Sequence, residues 1–191
     1  MSYLLILIKY EYSNSNYVFL GMIIEQVSGM AYEDFLEQNI FEPLGMLNSG
    51  YSIDWDTQKN KAQGHEIINE EFIINQYEQY FLFAGAGGLY TTVNDLAKWD
   101  RALYSEQIFK KATIEKSYDS YIEIPNSTGY GYGYGWFARG NRVEHSGLLP
   151  GYTSYIYREL DSQLVIIFLS NSEVLAEKRY DFTRVLLNLI K

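Results

Sequence analysis

Tyr12-Ser13-Asn14 and His145-Ser146-Gly147 are the two places where this chain groups side chains suited to acid–base or carbonyl chemistry. The first offers a phenol and a carboxamide; the second offers an imidazole, a hydroxyl and a glycine. A phenol has a pKa of about 10, so Tyr12 acts as a base near neutral pH only where neighbouring cations stabilise phenolate. By itself, Tyr12-Ser13-Asn14 also fits a turn ending in a helix N-cap. His145 by itself fits a surface histidine in a hairpin. Ser146 beside His145 invites a nucleophile–base pair. Neighbouring residues on a strand point to opposite faces, however, and His145-Ser-Gly-Leu-Leu149 is not a Gly-x-Ser-x-Gly elbow. No Ser146–His145 dyad is expected.

Other chemistries fall away on composition. The chain has no cysteine, which excludes disulfides and thiolate metal sites, and His65 and His145 alone do not make a zinc site. Gly85-Ala-Gly-Gly-Leu89 lacks the strand–turn–helix setting and the lysine of a phosphate loop. Asp54, Asp56, Glu70 and Glu71 read as solvated charges. A formal net charge of −9 disfavours nucleic acid as a partner, because phosphate binding needs basic patches. At 191 residues and 47% hydrophobic composition the sequence suits one folded domain. The 19 tyrosines and ten phenylalanines serve first as buried bulk, although grooves for small ligands also use them.

The elements that must position the two motifs follow from periodicity. Tyr17, Leu20, Gly21, Ile24 and Val27 recur at helical spacing over Asn16–Ser28, with Gly29 as C-cap. A second helix is expected over Tyr32–Ile40, burying Phe35, Leu36 and Ile40 and ended by Pro43-Leu44-Gly45. Residues 48–83 show no sustained period and read as loop with short strands. Thr92-Val-Asn-Asp95 is a capping-box variant opening a helix to about Tyr104, and a shorter helix fits Ala112–Tyr118. After Pro125 the pattern turns to β: Gly129–Arg139, a short Arg142–Ser146, then Tyr152–Glu159. In Gln163–Ser170 the unbroken run Leu164–Leu169 predicts a strand covered on both faces and central in its sheet. A last helix over Val174–Ile190 presents Leu175, Phe182, Val185, Leu186 and Leu189. The apolar run Tyr3–Ile8 is too short to span a bilayer and lacks the flanks of a signal peptide.

In this order the motifs resemble the second and third active-site elements of the serine β-lactamase and penicillin-binding-protein superfamily, in its class C-like branch. The resemblance is carried by Lys9-Tyr-Glu-Tyr-Ser-Asn-Ser-Asn-Tyr17, Leu20-Gly21, Ile23-Ile24-Glu25, Val27-Ser28-Gly29 and Ile40–Met46. It continues through Gly85–Thr92, the glycine-rich Tyr130–Trp136, His145–Tyr152 and Leu169-Ser170-Asn171. It implies an α+β fold, with an antiparallel sheet flanked by helices and a helical subdomain. On that reading residues 1–191 form a single partial domain, about 10–120 mainly helical and about 125–191 carrying strands and the last helix. Tyr12 would be general base or proton shuttle, and the Leu148 backbone N–H one of two oxyanion-hole donors. Asn14, His145, Ser146 and Gly147 would contact substrate, glycine allowing the strand edge close approach. No metal or organic cofactor is implied.

The superfamily's first element, Ser-x-x-Lys, supplies the nucleophile. No serine from Ser2 to Ser172 has lysine three positions later. In the family the first strands and that helix precede Tyr-x-Asn, whereas eleven residues precede Tyr12 here. The expectation is therefore a β-lactamase-related serine hydrolase segment, its parent chemistry being acyl transfer through a serine ester on amide, ester or β-lactam bonds. The chain alone is expected to be inactive. The rival reading is a non-catalytic binding module for peptidoglycan-like or peptide ligands, and a third is a truncated reading frame. Without the family's N-terminal strands, the Gln163–Ser170 strand would become an edge open to self-association, unless Tyr3–Ile8 fills the gap.

Overall fold

The computed structural model describes residues 9–51, 59–74, 84–173 and 176–190. The Tyr3–Ile8 run, Asp54, Asp56, Val174 and Leu175 lie outside them. Helix α1 (Asn14–Ser28) begins earlier than its apolar spacing suggested, taking Asn14 into its first turn. Gly29 ends it at φ 71, donating its N–H to the Glu25 carbonyl. The buried residue of α1 is Gly21, while Leu20 is exposed and Val27 is 82% exposed. Close backbone approach explains this. A Cβ on Gly21 would stand 2.9 Å from the Ala84 carbonyl oxygen, and one on Gly85 2.2 Å from the Tyr17 carbonyl oxygen. These two glycines let the 85–88 turn lie directly on α1, where apolar side chains would have held it away.

The second helical stretch runs further than expected, and its phase changes on the way. Helix α2 (Tyr32–Leu36) passes into a wide π turn over Glu37–Phe41 and then into the short α3 (Glu42–Leu44), which Gly45 ends at φ 64. The extra residue in the π turn puts Phe41, rather than Ile40, into the core. Tyr32, Leu36, Phe41, Met46 and Tyr51 form that core cluster, with Ile24 and Trp99 packed against it.

Thr92 caps α4 (Val93–Ala102), its hydroxyl accepting the Asp95 N–H at 3.2 Å. The Asp95 carboxylate does not reach back as a capping box would. It is fully buried and accepts the Asn48 N–H at 2.7 Å, the Ser49 hydroxyl at 3.0 Å and Lys98 Nζ at 2.7 Å. Burial pushes this carboxyl up, but Lys98, the Asn48 N–H and Ser49 together outweigh it and hold it below its ordinary value. Lys98 also donates to the Gly45 carbonyl, so one carboxylate–ammonium pair joins α4 to the chain after α3.

Three sheets are present among the described residues. Two are small: β1 (Gly50–Tyr51) pairs with β4 (Leu89–Tyr90), and β2 (His65–Ile68) with β3 (Glu71–Ile74). The third is antiparallel and six-stranded, in the order β10-β9-β8-β7-β6-β5. Its strands are β5 (Ile122–Glu123), β6 (Gly131–Tyr132), β7 (Phe137–Arg139), β8 (Arg142–Leu149), β9 (Tyr152–Glu159) and β10 (Leu164–Ser170). Strand β8 is thus longer than the Arg142–Ser146 expected. Its hairpin to β9 turns at Pro150-Gly151, Gly151 at φ 77. The larger correction concerns β10. Among the described residues it is not central: it pairs with β9 alone, and all seven of its residues are partly exposed.

Helices cover both faces. Arg158 of β9 is fully buried, with Nε 2.6 Å from Asp100 Oδ1 of α4 and Nη1 donating to the Tyr118 hydroxyl just after α5 (Lys111–Ser117). On the opposite face α6 (Arg179–Ile190) brings Tyr180 to Tyr155 of β9 and Phe182 to Phe168 of β10. It buries Thr183, while Phe182, Val185 and Leu189 of its expected apolar stripe are exposed. No helix of the described residues is long and apolar enough to cross a membrane.

Candidate active site

Tyr12 and His145, remote in sequence, are neighbours in the fold. Their ring centroids lie 6.2 Å apart at an interplanar angle of 38°. The reason is architectural. Tyr12 leads into α1, α1 is held against the 85–88 turn, and β8 delivers His145 beside the N-terminal end of that helix. Tyr132 of β6 completes a triangle with them, 6.2 Å from each ring. Its hydroxyl receives the Tyr17 hydroxyl proton at 3.1 Å and lies 3.2 Å from His145 Nε2. Tyr10 adds a ring 5.6 Å from Tyr132, and Phe137 stacks on His145 at 5.4 Å. The outcome is an aromatic wall around one imidazole.

The electrostatics of the wall are those of neutral groups. Burial, with Tyr17 nearby, pushes the Tyr12 phenol above its ordinary value. Burial pushes Tyr132 further up, helped by Tyr17 and Tyr12. His145 is pushed down by burial, opposed in part by a backbone hydrogen bond at Ser146. Lys9, the cation nearest Tyr12 along the chain, pairs with Glu11 at 3.6 Å in solvent. In this chain both phenols are protonated and the imidazole is uncharged near neutral pH.

The remaining expected residues divide. Asn14 is the first residue of α1 and is exposed, beside Tyr12 along the chain. Gly147 pairs with Ser154, and a Cβ there would meet Ser154 Oγ at 2.4 Å, so a hydroxyl on β9 occupies the room glycine leaves. Ser146 pairs with Tyr155, whose ring meets α6, so its side chain alternates to the face opposite His145. Leu148 is 57% exposed. Antiparallel pairs alternate between bonded and non-bonded, and a two-residue turn is closed by a bonded pair. The turns at Gly140-Asn141 and at Pro150-Gly151 give the same parity along β8. It aims the Leu148 N–H away from β9, toward the side where β7 has already ended. Among the described residues no strand pairs with β8 on that side at Leu148.

Sequence reasoning does not single out Tyr10, Tyr17, Tyr132 or Phe137 as site residues. Tyr17 falls in the helical period and Tyr132 in a glycine–aromatic repeat. The usable signal is the Gly131/Tyr132 step, because Gly131 leaves no side chain beside Ser120 and Tyr132 faces Phe137 across the β6–β7 pair. Among the described residues no cluster of His, Cys, Asp or Glu is arranged to hold a metal ion.

Comparison with known proteins decides the family. A model of the β-lactamase family matches residues 8–189. The chain belongs to that family. It is 32% identical over 179 residues to penicillin-binding protein 4* of Bacillus subtilis (strain 168), an alignment covering 85% of this chain and 40% of the relative. Among solved structures, the octameric penicillin-binding protein homologue of Pyrococcus abyssi superposes with a TM-score of 0.80 at 35% identity, covering 86% of this chain and 39% of that one. The D-amino acid amidase of Ochrobactrum anthropi SV3, in complex with D-phenylalanine, superposes at 0.68 with 25% identity, covering 85% and 51%. The chain thus spans about 40% of the length of the curated relatives it matches. The mixed helix and antiparallel sheet is the β-lactamase and penicillin-binding-protein fold.

Proposed function

We propose that this chain forms the tyrosine and histidine walls of a serine acyl-transfer site that works on amide, ester or β-lactam bonds, with the nucleophile carried by a Ser-x-x-Lys segment that its sequence does not contain. The observation that carries this reading is the meeting of Tyr12 with His145, because it unites the two family motifs the sequence does contain. Tyr12 is the base or proton shuttle, His145 and Asn14 contact substrate, and the Leu148 N–H serves the oxyanion. The raised Tyr12 phenol fits the same reading: among the described residues no cation lowers it, and the lysine of Ser-x-x-Lys would. The amidase relative favours substrates with an amide beside a D-amino acid residue. The 191-residue chain, incubated with a fluorescent penicillin, a chromogenic cephalosporin and p-nitrophenyl esters, should show no turnover and no stable adduct by mass spectrometry. A serine ester on any residue would overturn the assignment. Binding of a peptidoglycan-like ligand in the same assay without acylation would favour a non-catalytic groove.

We also propose that the chain associates with itself through β10, an apolar, uncharged strand with one partner among the described residues. Backbone groups on such an edge template further pairing. Sedimentation should show mass rising with concentration, and a monomer at all concentrations would refute the edge as an interface.

A further inference from the structure

The hydrogen bonds around His145 form an ordered chain that the two family motifs do not include. The Tyr17 hydroxyl donates to the Tyr132 hydroxyl oxygen at 3.1 Å. A phenol has one proton, so Tyr132, with its oxygen already accepting, has that proton free for its other neighbour. That neighbour is His145 Nε2, at 3.2 Å. An Nε2 that accepts is unprotonated, which leaves the proton of the neutral ring on Nδ1.

We propose that Tyr132 is a positioning residue of this site, whose hydroxyl, ordered by Tyr17, donates to His145 Nε2 and locks the imidazole in its Nδ1–H form. His145 then does not serve as a proton acceptor at Nε2. It presents a neutral ring of fixed orientation, stacked on Phe137 and facing Tyr12. Proton movement is left to Tyr12. That last step rests on the function proposed above, whereas the order of the hydrogen bonds does not.

The groups facing His145 from each packed element are consistent with a lock made of neutral donors. Tyr12 faces it from the segment before α1, Tyr132 from β6 and Phe137 from β7. Tyr17 acts from α1 through Tyr132, and the residue paired with His145 on β9 is the apolar Ile156. Among the described residues no carboxylate or cation forms an ion pair with His145.

The test uses the intact 191-residue chain and needs no catalysis. Only two histidines are present, so nitrogen-15 correlation spectra of the imidazoles can be assigned with a His65→Gln variant. At neutral pH the His145 Nδ1 signal should be of the protonated, pyrrole type and Nε2 of the unprotonated type. Tyr132→Phe keeps the ring packing but removes the donor. It should shift His145 toward the Nε2–H tautomer, the ordinary preference of a free imidazole, and raise its pKa, because a hydrogen bond to the neutral form is lost. A protonated Nε2 in the unsubstituted chain would overturn the proposal at once, even if Tyr132→Phe failed to fold. An unchanged tautomer and titration in a folded Tyr132→Phe would overturn it too. Failure of the acylation tests with the Nδ1–H form intact would count against the functional reading alone.

Discussion

Replacing residues 1–8 with the N-terminal segment of a relative that carries Ser-x-x-Lys should yield a protein that an activated ester acylates, and Tyr12→Phe in that protein should slow acylation by about a hundredfold or more. The donated lysine would lie near Tyr12 and lower the phenol that burial now holds up. The Leu148 N–H, turned to the open side of β8, would pair with the nucleophile's own N–H to stabilise the oxyanion. Asn14→Ala and His145→Ala should act mainly on substrate preference. Stopped-flow acylation across pH separates the cases. A folded chimera that acylates equally well with and without the Tyr12→Phe substitution would remove Tyr12 from the base role. A folded chimera that never acylates would remove the acyl-transfer reading itself.

What the sequence made legible was order along the chain. The helix after Tyr12, the Thr92 cap, the Tyr152–Glu159 strand and the two motifs were all readable, because local period and turn chemistry specify them. What it hid was partnership. Val27 has helical spacing with Ile24 and Leu20, yet it is exposed, because the face of α1 that packs is the one where Gly21 admits a neighbouring turn. Leu164–Leu169 is apolar throughout, yet among the described residues the strand pairs on one side alone. Periodicity reports that a segment has something to bury and is silent on which element arrives to bury it. The site shows the same limit. Tyr12 and His145 were visible as motif residues, whereas Tyr132 acquires its place only when β6 folds back beside β7 and its hydroxyl meets two partners from other elements.

The same limit hid the interaction whose loss should cost most. Asp100→Ala should destabilise the fold by about 3–5 kcal/mol in urea or thermal unfolding, the usual cost of leaving a buried charge without its partner. Arg158 has no exposed surface, and its Nε lies 2.6 Å from Asp100. Burial works against the guanidinium charge, but Tyr118 and Asp100 more than offset it and hold its pKa above the ordinary value. An arginine does not escape by deprotonating. Once Asp100 is gone, the Tyr118 hydroxyl still accepts from Nη1 and the Tyr104, Tyr118 and Trp136 rings at 4.7, 5.4 and 5.7 Å add their quadrupoles, but none of these is a counter-charge, and among the described residues Nη2 already lacks a partner. The charge must then draw in water or pull β9 away from α4. Replacing both partners with apolar residues, Asp100→Leu with Arg158→Met, should recover most of the loss, since a buried pair exchanged for packed hydrocarbon is often neutral or better. Because β9 pairs with β8 from Arg142 to Leu149, loosening it also loosens the strand that carries His145 and Leu148. In the complemented protein Asp100→Ala should therefore slow acylation although Asp100 touches no reacting group, and the double substitution should restore the rate along with the stability. A rate that stays low after stability returns would mean that Arg158 acts on the site by its charge rather than by holding β9 in place.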